Sequence, residues 1–207
     1  NLSSIQSKWE QIKDVIENGV DAVNSFGVNR DNLTAANALI PITYYLLTHP
    51  EVNLRGDTPF DVKNSLGIRR WVITALLNNV FGGSSDNLLT TIRATLREKS
   101  GEKEFPVDAV NTVISRAGRT AYFDDEALER YFSNTYGNRL TFLALSILYP
   151  DNNWGAISYH QDHIFPQTMF SKKAFEAAGF DRDKIFRYSN FKNRLGNLEI
   201  LSSDENL

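Results

Sequence analysis

Through its first 150 residues the chain sets its apolar side chains three or four positions apart and nowhere alternates them, a spacing that confines this stretch to helices. Ile5, Trp9, Ile12, Ile16, Val20 and Val23 mark one side of a helix expected to face the core. Asn32 or Thr34 offers a start for the next, which carries Leu39, Ile42, Leu46 and Leu47 and which Pro41 is expected to kink or split. Thr58 before Pro59 puts a capping residue ahead of proline at the first helical position, and Val62, Leu66, Trp71, Ala75 and Leu76 follow before Gly82-Gly83 stops the series. Ser85-Asp86 opens a helix with Leu88, Leu89, Ile92 and Leu96. Pro106 opens another, through Val110, Val113 and Ile114, and Asp124-Asp125 precedes one with Leu128, Tyr131 and Phe132. The apolar run Leu140 to Leu148 is expected to be buried. An all-α region of six or seven helices follows.

Tyr149 to Gly155 has turn chemistry, so the domain boundary is placed there, with residues 1–150 on one side and 151–207 on the other. Beyond it the pattern changes. Ala156 to His163 and Leu198 to Leu201 read as short strands, Ser171 to Ala178 as a short helix closed by Gly179, and Ser202-x-x-Glu205 as the capping box of a final helix. The chain has no initiator methionine and breaks off at that helix start, so it is expected to be part of a longer protein whose last helix is truncated here.

Composition narrows the chemistry. With no cysteine there is no thiolate metal site, disulfide or thiol nucleophile. No apolar run approaches the roughly 18 residues of a membrane span, so a cytoplasmic protein without a membrane partner is expected. A formal charge of −3 removes the general basic field of a free-standing nucleic-acid binder. Any nucleic-acid contact must therefore be local, and Lys172, Lys173, Arg187, Lys192 and Arg194 are the candidates; a solvated charged face is the plainer reading of the same residues. Trp154, Phe165, Phe170 and Phe175 are read as core of a small module rather than as base-stacking residues.

Two motifs carry the functional signal. Asp162-His163-Ile164-Phe165-Pro166-Gln167 ends the first strand, and Asn193-Arg194-Leu195-Gly196-Asn197-Leu198, followed by Asn206, runs through the second strand into the final helix. In this order they resemble the HNH, or ββα-metal, nuclease domain that closes GmrSD-like modification-dependent restriction enzymes and related phage-defence proteins. Arg69-Arg70-Trp71 and Phe81 to Asp86 resemble the helical spacer of the same proteins more weakly. The resemblance implies a mainly α chain, in which a helical spacer over 1–150 precedes a ββα-metal module over 151–207.

It also implies a metal-dependent DNA endonuclease. His163 would be the general base, an imidazole being able to accept a proton near neutral pH. Asp162 and Asn206 would ligate one Mg²⁺, with Mn²⁺ able to substitute, because hard oxygen donors suit such ions. Asn197 would orient either the loop or the His163 imidazole. The implied partners are DNA, above all modified phage DNA, and a nucleotide-binding domain of ParB/sulfiredoxin-like fold preceding Asn1. Strand alternation puts Asp162 and His163 on opposite faces, so the strand is expected to end or twist at this pair. It also puts His160 on the face of Asp162, leaving His160 with Asp162 as a competing ligand pair. A degenerate binding module and an RNA-directed nuclease are the rival readings.

Overall fold

A computed structural model describes residues 2–149 and 151–205. The chain is mainly α-helical with one small two-stranded antiparallel sheet. It divides into two compact units, Asn1–Phe123 and Asp124–Leu207. The division falls ahead of the boundary expected at 149–155, and the helices from Asp125 to Ser146 belong with the strands rather than with the helical region.

The first unit holds α1 (Leu2–Ser7), α2 (Trp9–Ser25), α3 (Leu39–Thr48), α4 (Pro59–Leu77), α5 (Asp86–Glu98) and α6 (Val107–Arg116). The helix expected from Leu2 onward breaks at Lys8, and its core face is not the expected one. Gly19, Ala22 and Val23 are buried, whereas Ile5, Trp9, Ile16 and Val20 are exposed. The cause lies in α3. A Cβ at Gly19 would come within 2.7 Å of Thr43 Cγ2, so α2 meets α3 along its small residues and turns the larger ones outward. Pro41 neither kinks nor splits α3, because it sits in the first turn, where its missing N–H has no partner to lose. Asn32 starts no helix: its side chain accepts from Asn29 N at 2.7 Å and donates to Gly27 O at 2.7 Å, closing the preceding loop.

At the start of α4 the Thr58 hydroxyl accepts from Asp61 N at 3.1 Å and donates to Asp61 Oδ2 at 2.6 Å, with Pro59 in the first turn. The helix ends before Gly82-Gly83, because Asn79 adopts φ 53° and lets Val80 N donate to Ala75 O at 2.9 Å. Ile68, Trp71, Val72, Ala75 and Leu76 are buried, while Val62 and Leu66 face outward.

Among the described residues Trp71 Nε1 and Asn111 Oδ1 are buried without a hydrogen-bond partner, but the polar groups around Tyr45 are paired. The buried Tyr45 hydroxyl donates to Lys103 O at 2.6 Å and accepts from Asn64 Nδ2 at 2.6 Å, and Asn64 Oδ1 accepts from Phe105 N at 3.1 Å. Burial pushes the phenol pKa from 10.0 up to about 12, against the lowering effect of the Asn64 bond and with help from Glu51 and Glu104. The fold therefore holds the neutral phenol. Its contribution is complete below the unfolded pKa near 10 and is lost as pH rises from about 10 to about 12. Urea unfolding across that window is expected to show a fall in stability that is smaller by up to about 3 kcal/mol in Tyr45→Phe. An equal fall in both proteins would remove Tyr45 as its source.

The second unit begins with α7 (Asp125–Phe132), capped by Asp124, whose carboxylate accepts from Ala127 N at 2.7 Å. In α8 (Arg139–Ser146) Leu143, Ala144 and Leu145 are buried, but Leu148 beyond it is 68% exposed, so only part of the apolar run is core. Strands β1 (Tyr159–His163) and β2 (Leu198–Ser202) pair with Tyr159 opposite Ser202 and His163 opposite Leu198. Between them lie α9 (Lys172–Ala177), capped by Ser171, and α10 (Arg182–Ser189), capped by Asp181. Trp154 and Phe175 are buried, as core residues should be, while Phe165 is exposed. After β2 the Glu205 carboxylate accepts from Ser202 N at 2.9 Å and from the Ser202 hydroxyl at 2.7 Å, bonds that hold its pKa below the usual carboxylate range. This is one half of the capping box.

Candidate active site

The site is built where β1 runs out. The ladder does not end before Asp162–His163: both residues pair with β2, and Ile164 N continues it by donating to Asn197 O at 3.0 Å. Strand alternation then separates the two side chains. His163 shares a face with Gln161 and Tyr159, above the buried Leu198 and Ile200 of β2. Asp162 shares the other with His160.

On its face the His163 imidazole is held from three directions. Nε2 lies 3.0 Å from Asn193 Oδ1 and 3.3 Å from Gln167 Nε2, and the ring lies 4.5 Å from that of Tyr136 at 38°. Nε2–H donating to Asn193 is the shorter bond. A nitrogen so protonated cannot also accept from the Gln167 amide, whose oxygen and nitrogen are interchangeable by rotation.

Tyr136 reaches the site because the segment after α7 is sewn to the second motif. Tyr136 N donates to Asn193 O at 2.8 Å, Thr135 pairs with Arg194, and Arg194 Nη1 donates to Ser133 O at 3.0 Å. Gln161 fastens the same segment from β1, accepting from Gly137 N at 3.0 Å and donating to Asn138 O at 3.2 Å.

Asn197 is buried and serves the loop, not the imidazole. Its Oδ1 accepts from Phe165 N at 3.0 Å, and its Nδ2 donates to Phe165 O at 3.2 Å and Lys192 O at 2.9 Å. One carboxamide thus joins the turn after β1 to the turn before β2, fixing the backbone that follows His163 and the backbone that leads into Asn193.

No protein-family model matches the chain, and no curated protein matches it. Asp162 lies directly across the sheet from Glu199, so two carboxylates share one face. Among the described residues the Asp162 carboxylate has no ion pair or hydrogen bond, and no three His, Asp or Glu side chains converge as a metal cage. Asn206 lies outside the described residues. His160 is exposed, with Nε2 3.3 Å from the Ser203 hydroxyl.

The basic candidates divide. Arg194 is committed to Ser133 O, and Lys172 lies 3.6 Å from Glu176. Among the described residues Lys173, Arg187 and Lys192 have no ion-pair partner. Asn193, Gln167, Tyr136 and Glu199 are site residues that the sequence did not single out. The first two stand inside the quoted motifs, and Glu199 follows from strand register alone. Tyr136 carries no local signal, since its contact crosses 27 residues to His163.

Proposed function

We propose that the chain is the nuclease portion of a cytoplasmic modification-dependent restriction or phage-defence enzyme, cutting DNA with an HNH-type, ββα-metal site. The observation that carries this is the imidazole of His163, aligned at the end of a two-stranded sheet with Nε2 engaged by Asn193 and Nδ1 without a hydrogen-bond partner among the described residues. With Nε2–H donating to Asn193, Nδ1 carries the lone pair and takes the proton of the attacking water. Tyr136 fixes the ring plane, Asn193 fixes the tautomer, and Asn197 holds the loop beside them.

Asp162 and Asn206 are the residues that would hold a divalent cation. The fit is chemical: an uncommitted carboxylate set opposite Glu199 is a like-charge pair that a cation relieves, and hard oxygen donors suit Mg²⁺ or Mn²⁺. When bound, such an ion supplies charge neutralisation at the phosphate and the leaving oxygen. Asp162 and His163 lie on opposite faces of β1, so one phosphodiester meets both only across the edge of the strand. Sensing of modified phage DNA and any use of nucleotide fall to a separate nucleotide-binding domain.

The test is cleavage of supercoiled plasmid with Mg²⁺, with Mn²⁺ and with EDTA, beside a single-stranded RNA of matched length. Metal-dependent nicking of plasmid, abolished by EDTA, is expected. Cutting of RNA alone would convert the reading to an RNA-directed nuclease, and a chain that binds Mg²⁺ but cuts neither would overturn it.

A further inference from the structure

Around the site, aromatic rings stand in water. Phe165 is 56% exposed, Phe191 49% and Phe186 75%. Phe165 and Phe191 have a placement that chance exposure does not explain. Phe165 lies two residues after His163, and Phe191 two residues before Asn193, which holds the His163 ring. The Asn197 carboxamide grips Phe165 N, Phe165 O and Lys192 O, so both rings grow from backbone fixed beside the imidazole. Two exposed rings on backbone held beside the imidazole offer flat apolar faces to a ligand.

Charge selects the occupant. From Lys172 to Arg194 the chain carries seven lysines and arginines against three acidic residues, although its net charge is −3. Lys173, Arg187 and Lys192 have no ion-pair partner among the described residues. Rings interleaved with unpaired cations match a polyanion that also offers flat faces.

We infer that Phe165 and Phe191 stack on unpaired nucleobases, with Arg187 and Lys192 on the neighbouring phosphates, so that the strand is held with its bases splayed at the cut. The substrate class is single-stranded or locally opened DNA. This rests on the reading of the site as a phosphodiesterase.

The experiment measures binding by fluorescence anisotropy with EDTA present, so that no strand is cut, using a labelled single strand, the matching duplex and an abasic strand of equal length. The single strand is expected to bind more tightly than the abasic one. Phe165→Ala and Phe191→Ala should each weaken it about tenfold, while leaving abasic binding and the salt dependence unchanged. Arg187→Ala and Lys192→Ala should weaken all three ligands and flatten the salt dependence. Circular dichroism melts of each variant separate lost contacts from lost fold. Aromatic variants that bind like the parent, or that weaken all three ligands equally, overturn the inference. So does concentration-dependent self-association of the parent that the phenylalanine variants abolish, which would make the surface a protein interface. Base-dependent binding without plasmid cleavage in Mg²⁺ would defeat the nuclease reading and leave the stacking surface standing. Cleavage without base-dependent binding would do the reverse.

Discussion

His163→Ala is expected to lower the rate of plasmid nicking by about 10²–10⁴-fold, the usual contribution of a positioned general base. The fold should tolerate the change. His163 pairs with Leu198 through its backbone, which alanine retains, and its ring is only half-buried, so thermal unfolding should move little. Binding of Mg²⁺ should also persist, because the proposed oxygen ligands lie on other residues. His160→Ala is the internal control. That ring is exposed on the opposite face, with Nε2 3.3 Å from the Ser203 hydroxyl, so a loss of nicking there with His163→Ala unaffected would move the base to His160. Asn193→Ala should fall between the two, because the imidazole keeps Tyr136 but loses the partner that fixes its tautomer.

Asp162→Ala tests the other face. Removing the carboxylate should weaken Mg²⁺ binding in a calorimetric titration and abolish most nicking, and it should also relieve the like-charge pairing with Glu199. A variant that is more stable yet inactive is the signature expected of a residue kept for its charge. Unchanged metal binding would remove Asp162 as a ligand.

The two kinds of residue differ in how far they could be read from sequence. Thr58, Asp124 and Ser171 announce their helices because a cap is a contact across three residues. The faces of those helices are set elsewhere. The buried side of α2 was decided by the fit of Gly19 against Thr43, which no periodicity within α2 encodes. Helix α10 went unread for a related reason: Asp181 caps it, but Ile185, Phe186 and Tyr188 are too few to mark a face and none of them is buried. In the site, the order Asp162-His163 then Asn197 was legible, but the partners of the imidazole were not. Tyr136 arrives from the turn between α7 and α8, and for the same reason those helices group with the strands and the compact units part at Phe123 rather than near Pro150.

Asn197 carries the second large expected effect, and here the loss is structural. Its carboxamide makes three hydrogen bonds to backbone from a buried position, and alanine would leave Phe165 N, Phe165 O and Lys192 O without that partner. Phe165 is exposed and Lys192 half-buried, so water reaches part of what alanine leaves behind, and each lost bond costs about 1 kcal/mol, the three on one side chain not being additive. A loss of about 2–3 kcal/mol in the second unit is expected. The isosteric Asn197→Asp is the sharper test. It keeps an oxygen for Phe165 N, but it replaces the amino group that donates to two carbonyl oxygens with a second oxygen and buries a charge. It should therefore be no better than alanine, although its shape is conserved. If Asn197 merely filled space, aspartate would be tolerated and alanine would not. If it clamps the two turns around His163, both variants should lose nicking together with the local fold, and amide hydrogen exchange at Phe165 should rise in both before the helices of the first unit respond. Exchange at Phe165 unchanged in Asn197→Asp would show that the clamp is not what holds the loop.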